Sequence, residues 1–198
     1  MKLRRSTPEA AGWGHTMVGP WTRVRRTVGY RNPWLTVWHD EVMRPDGQPG
    51  IYGVVHFSNS AVGVVAIDER DRVALVGQHR YAFYAYHWEI PEGGSPLEED
   101  SLEGAQRELL EETGLRARSW REIGRWELSN SITDEAAVAY LATDLEHGPA
   151  EPDPEEQLAF RWLPFDEVMA LIERGQITDA LTVLPMQALA LERARGNS

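Results

Sequence analysis

The 198-residue chain contains no cysteine. Disulfides, a thiolate metal site and a cysteine nucleophile are therefore excluded, and a reducing cytoplasm, where we place the protein, is compatible with this. No apolar run approaches the length needed to cross a bilayer, so no membrane partner is expected. The opening residues, MKLRRSTPEAAGWG, are partly basic but no apolar stretch follows, and they do not read as a secretory signal. Positive charge is the scarcer sign: 20 Lys and Arg against 31 Asp and Glu give a formal net charge of −11. The basic clusters, residues 2–5 and 23–26, are short, so a polynucleotide would be repelled and no nucleic-acid partner is expected. GxGxxG, GxxxxGKS/T and HExxH are all absent, which removes the chemistry each would support. If the substrate is an anion, something cationic must mediate, and a divalent metal suits that role.

What is present suits one large domain, or a domain with an N-terminal extension, at 42% hydrophobic and 26% charged residues. Residues 1–20 read as a loose arm. Residues 21–58 hold three strand-like pieces (TRVRRTVGY, WLTVWHDEVM, GIYGVVHF) parted by Asn32-Pro33 and by Arg44-Pro45-Asp46-Gly47, a hairpin signal. In the remainder, 59–198, AVGVVAIDE and RVALVGQHRY are apolar β-branched runs joined by a polar link. WREIGRWELS, EAAVAYLATDL and QLAFRWLP read as further strands, with amphipathic helices expected over 165–174 and 178–193. Irregular strands with few helices point to an α+β or mixed α/β fold, not a doubly wound parallel sheet.

Between these pieces lies GGSPLEEDSLEGAQRELLEETGL, residues 93–115, where seven residues are acidic and only Arg107 is basic. Ser95 and Asp100 both open a capping box; we prefer Asp100 as N-cap, with 93–99 a loop and Gly114 the stop. At 3.6 residues per turn Glu108, Glu111 and Glu112 share an arc, beside an apolar stripe of Leu102, Ala105 and Leu109. A solvated acidic face would not explain acids gathered on one side behind a Gly-rich loop, whereas a hard divalent cation wants such oxygens. Gly104 lies one turn before Glu108, and a mid-helix Gly costs roughly 1 kcal/mol relative to Ala. We expect its missing side chain to let metal-bound phosphate approach the helix.

Gly93, Glu99, Arg107-Glu108-Leu109, Glu111-Glu112 and Gly114-Leu115 stand at the spacing of the Nudix box, which this stretch resembles without a departure. The resemblance implies an α/β/α-sandwich hydrolase cleaving a nucleoside diphosphate linked to another moiety, with Mg²⁺ or Mn²⁺, two or more per site. It implies Glu108, Glu112 and Glu111 as metal ligands, joined by the backbone carbonyl of Glu92. Arg107 would orient the glutamates, and Glu99 would brace the loop against the helix.

The flanks narrow the branch. WEIPEGG (88–94) and VGQHRYAFYAYHWEIPEGG resemble ADP-ribose and nucleotide-sugar pyrophosphatases, with His79 where a Tyr is usual. Gln78, Arg80 and Glu89 would then face substrate, Arg80 on a phosphate; a strand-end ion pair is the other reading of Arg80. Residues 30–57 resemble that branch's N-terminal antiparallel β-subdomain, which implies a homodimer. Trp34, with Trp21 and Trp38, would be a base-stacking residue or, by preference, core or interface. SNSITDE (129–135) lacks a Pro expected of ADP-ribose enzymes, which favours broader nucleotide-sugar specificity. The general base of the branch points to the Pro-rich loop 150–157, hence Glu155 or Glu156, although acids there are also simply solvated. A triphosphate or dinucleoside polyphosphate pyrophosphohydrolase is the alternative enzyme, and a catalytically silent nucleotide-sugar-binding module the alternative outside enzymes.

Overall fold

The computed structural model describes residues 12–148 and 158–196. The chain divides into two compact units, and the boundary is not a single cut: residues up to 59 join 127–135 in the first, and the rest form the second.

The first unit is an antiparallel sheet, β1 (Gly12–Val18), β2 (Trp21–Arg31), β3 (Leu35–Met43) and β4 (Pro49–Phe57), ordered as in the chain. Residues 12–18, inside the segment read as a loose arm, thus pair with β2. Asn32 turns the chain between β2 and β3 by accepting from the amides of Trp34 and Leu35 at 2.9 and 2.8 Å. Alternate residues of β3, Thr36, Trp38, Asp40 and Val42, are buried, the period-two signature of a half-buried strand. Two of those four are polar or charged, so burial needs partners. Arg26 grips Asp40 in a bidentate pair at 2.7 and 2.6 Å, and the guanidiniums of Arg26 and Arg31 lie over the Trp38 ring. The returning segment 127–135 seals the outer side of β4: Val55 N–H donates to Ile132, Asp134 N–H donates to Val55, and the Asp134 carboxylate takes His56 and the Phe57 amide.

The second unit has two sheets. One is ordered β8 (Glu92–Pro96), β5 (Asn59–Ala66), β10 (Ala136–His147), β9 (Leu115–Glu127), with β5 and β10 parallel. The other is β11 (Ala159–Pro164), β6 (Arg72–Arg80), β7 (Ala85–Glu89), antiparallel throughout. Three helices, α1 (Ser101–Thr113), α2 (Phe165–Glu173) and α3 (Ala180–Gly196), supply two cores. Val62, Val64 and Ala66 of β5 pack with Ala105 and Leu109 of α1. Val65 and Ile67 pack with Phe165, Val168, Met186 and Leu189 of α2 and α3. Covering both faces explains why this strand reads as a continuous apolar run, and the layering is the expected α/β/α sandwich of an α+β fold. The loop expected at 93–99 is in part β8, a strand that pairing with β5 imposes on Gly-Gly-Ser-Pro. Among the described residues no helix is long and apolar enough to cross a membrane.

Candidate active site

Helix α1 starts and stops on local chemistry. Asp100 has extended backbone and its carboxylate accepts from Leu102 N–H at 2.8 Å, as an N-cap does; Gly114 ends the helix at φ 70°. Ala105 and Leu109 are fully buried, which fixes the rotation of the helix and turns the carboxylates to its flank. Glu112 is buried, the Glu108 side chain nearly so, and Glu111 is half-buried.

Arg107 ties that flank together. Its Nη1 donates to Glu108 at 2.7 Å and to Glu111 at 3.3 Å, while Nη2 donates to the Gly94 carbonyl at 2.9 Å and to Glu99 at 3.4 Å. Burial alone would lower the Arg107 pKa, but the hydrogen bonds to Glu108 and Glu99 and the charges of Glu108 and Glu111 outweigh it, and the guanidinium is held protonated more firmly than usual. Glu99 also accepts from Ser95 Oγ at 3.0 Å, so one acid touches both the strand before the helix and the arginine within it.

Two glycines of the 93–115 stretch are explained by close approach. A Cβ at Gly93 would overlap the Glu108 carboxylate itself. A Cβ at Gly104 would stand 2.6 Å from Ser95 Cβ and 2.7 Å from its Oγ, with Glu99 Oε2 at 3.1 Å. Gly104 is buried against β8, which corrects the expectation that it clears a path for phosphate: its space is filled by the protein's own strand.

A second group of acids lies upstream. Arg80, at the end of β6, donates from Nε to both oxygens of Glu89 at 3.0 Å and from Nη2 to Glu89 at 2.6 Å and Glu92 at 2.7 Å. The strand-end ion pair considered for Arg80 is therefore present. Glu89 is 2% exposed and Glu92 10%. Asp179, at the start of α3, brings a third carboxylate, and one oxygen from each of the three lies within 4.8 Å of the others. Burial first, then the charges of Asp179 and Glu89, push the Glu92 carboxyl well above the usual carboxylate range against the pull of Arg80. Burial would lower Arg80, but its bonds to Glu89 and the surrounding acids raise it further.

The two groups meet at Glu92, whose backbone N–H donates to Glu112 Oε2 at 3.0 Å. Gln78 is half-buried on β6, two residues from Arg80 on the same face. Trp34 belongs to the N-terminal unit, 68% exposed at the β2–β3 turn, whereas Trp38 is core. That unit also holds a cavity of about 320 Å³ lined by Trp21, Arg23, Arg26, Asp40, Tyr52 and Ile132 among others. Glu155 and Glu156 lie outside the described residues. Asp179 was missed from the sequence. Its only local signal is a cap: its carboxylate accepts from Thr182 N–H at 2.7 Å.

A hard divalent cation fits the chemistry of these donors. Glu108, Glu111, Glu112 and the Glu92 carbonyl all offer oxygen atoms, and Gly93 keeps clear the ground beside Glu108 that a side chain would fill.

Comparison with known proteins gives the family. The NUDIX domain model matches residues 58–182, and the model of the nucleoside diphosphate sugar hydrolase N-terminal domain matches 21–55. A CMP-5'-(N-acetyl-N-hydroxy-3-aminopropyl)phosphonate hydrolase of Streptomyces rubellomurinus is 30% identical over 85% of this chain and 82% of its own. An ADP-ribose pyrophosphatase of Mycobacterium tuberculosis is 32% identical over 76% of this chain and 73% of its own. The crystal structure of an ADP compounds hydrolase superposes with a TM-score of 0.80 at 22% identity, covering 92% of this chain and 98% of that one, a likeness of fold. The chain belongs to the Nudix hydrolases, in the branch that carries a nucleoside diphosphate sugar hydrolase N-terminal domain.

Proposed function

We propose that the protein hydrolyses the diphosphate bond of nucleoside diphosphate sugars, ADP-ribose included, to a nucleoside monophosphate and a sugar phosphate, with Mg²⁺ or Mn²⁺. The observation that carries this is the joining of the acidic flank of α1 to Arg80 through Glu92, which sets oxygen donors for a cation beside a guanidinium suited to phosphate. The family membership and the relatives named for ADP-ribose and for a CMP-linked phosphonate support the linkage class.

Glu108, Glu111, Glu112 and the Glu92 carbonyl would hold the cation, which when bound neutralises the diphosphate and lowers the pKa of the attacking water. Arg107 keeps Glu108 and Glu111 apart from one another's charge and fixes their rotamers. Arg80, 36% exposed, offers part of its guanidinium to a substrate phosphate while Glu89 anchors the rest. Gln78 stands two residues before it on the same strand. Glu155 or Glu156 would take the proton from water, so Glu155→Gln or Glu156→Gln should reduce turnover about 10²–10⁴-fold. No change in either would place the base elsewhere. The lack of Pro in 129–135 favours nucleotide sugars over ADP-ribose alone, and we propose a cytoplasmic homodimer.

The deciding assay incubates the protein with Mg²⁺ or Mn²⁺ and ADP-ribose, UDP-, GDP-, ADP- and CDP-linked compounds, dinucleoside polyphosphates and triphosphates, and identifies products by mass. Monophosphate and sugar phosphate are expected. Pyrophosphate released from triphosphates alone would overturn this choice, and silence on every compound would favour a binding module.

A further inference from the structure

Burying Glu92 works against stability. Its side chain is 10% exposed, and its Oε2 is fully buried with no hydrogen-bond partner among the described residues. The carboxylates of Glu89 and Asp179 crowd it, and Arg80 is the guanidinium that pairs Glu89 and Glu92. Like charges gathered out of water repel, and a buried acceptor left unbonded is unfavourable. An alanine there would remove both penalties, so the carboxylate has to be justified by what it touches.

It touches two things. Its main chain donates to Glu112, a box glutamate, and its side-chain Oε1 accepts from Arg80 Nη2. Glu89 holds Arg80 along one edge, through Nε and Nη2. The contact from Glu92 is a second anchor. Asp179 sits fixed as the cap of α3, with one carboxylate oxygen within 4.8 Å of one from Glu92. We infer that the Glu92 side chain is a positioning residue, setting the Arg80 guanidinium at a fixed place relative to Glu112 by holding one with its side chain and the other with its backbone. This rests on the proposed function only in giving Arg80 a substrate phosphate to meet; the positioning itself is a property of the protein alone.

The test uses Glu92→Ala and Glu92→Gln in the full chain, each alone and combined with Arg80→Ala. Kinetics on the best substrate of the panel are read beside thermal stability and the ¹⁵N-resolved Nε–H resonance of Arg80. Glu92→Ala should raise KM about tenfold with kcat within about twofold, the pattern of a lost binding contact. Glu92→Gln, whose amide oxygen still accepts from Nη2, should restore most of KM. In the Arg80→Ala background Glu92→Ala should change KM by less than about twofold, since the coupling partner is gone. Thermal stability should hold or rise in both single variants, which separates positioning from a structural role. An unchanged KM, an equal rise without Arg80, or no rescue by Gln overturns the inference. Should the unsubstituted protein turn over nothing, the functional reading fails by itself, and the Arg80 resonance decides: broadening in Glu92→Ala supports positioning, and an unaltered line and shift refutes it.

Discussion

Gly104→Ala sets two opposed effects against each other. On an exposed helix surface this substitution stabilises by roughly 1 kcal/mol, because alanine loses less backbone entropy than glycine. Gly104 is instead buried where the added Cβ would stand 2.6 Å from Ser95 Cβ and 2.7 Å from its Oγ. Forcing a methyl into such a gap costs about 1–3 kcal/mol in displaced neighbours. Moving Ser95 also breaks its 3.0 Å bond to Glu99, worth about 1 kcal/mol. The balance is a net loss of about 1–3 kcal/mol, or several degrees in melting temperature for a chain of this size. Urea unfolding followed by tryptophan fluorescence would measure it. Turnover should fall as well, because Glu99 shares Arg107 with Glu108 and Glu111. A variant more stable than the parent would refute the packing argument, and normal turnover in the larger Gly104→Leu would refute the link from Ser95 to the carboxylates.

Arg107→Ala should lower turnover or metal affinity about 10–100-fold, the usual effect of removing a group that orients metal ligands, and Arg107→Lys should recover only part, since one ammonium cannot span four acceptors; titration with Mn²⁺ reads both. Asp40→Ala leaves Arg26 buried without its bidentate partner and should destabilise by about 3–5 kcal/mol in urea, while an effect below 1 kcal/mol would mean that the pair is not isolated from water. Burial alone would raise the Asp68 pKa, but hydrogen bonds from the Arg72 side chain and the Arg72 and Arg70 amides hold it below the usual value of 3.8. The folded form thus binds the proton less readily than the unfolded one, so the stabilisation is present above that value and lost as pH falls through the lower folded pKa. Asp68→Asn should flatten the acid limb of a stability–pH profile, and an unchanged limb would refute the assignment.

The limits of α1 were legible because they are local: Asp100 and Gly114 act within a turn of themselves. So was the continuous apolar run of β5, which two covered faces require. Strand β8 was not, since Gly-Gly-Ser-Pro has little strand preference and takes its shape from pairing with β5. Gly104 was misjudged because its spacing from Glu108 speaks only to neighbours along the helix, and the deciding neighbour, Ser95, sits on another element. Asp179 meets Glu92 from the far end of the chain, and periodicity carries no information about such an encounter. The i,i+4 spacing of Arg107 and Glu111 does specify neighbours on a helix, and that pair forms, whereas the pairing of Arg107 with Glu108 next to it was expected only from the resemblance.

The seal that 127–135 places on β4 also has a consequence for synthesis. Phe57 and its partner Asp134 are 77 residues apart. At 5–20 residues per second a ribosome takes about 4–15 s to make that interval. Until then a sheet formed from β1–β4 leaves the backbone of Val55 unpaired on its outer side, an open strand edge of the kind that recruits other chains. The nascent protein is therefore most exposed to mispairing after the N-terminal sheet has emerged and before residue 134 has, and slow codons in that window should lower the yield of folded chain more than slow codons after it.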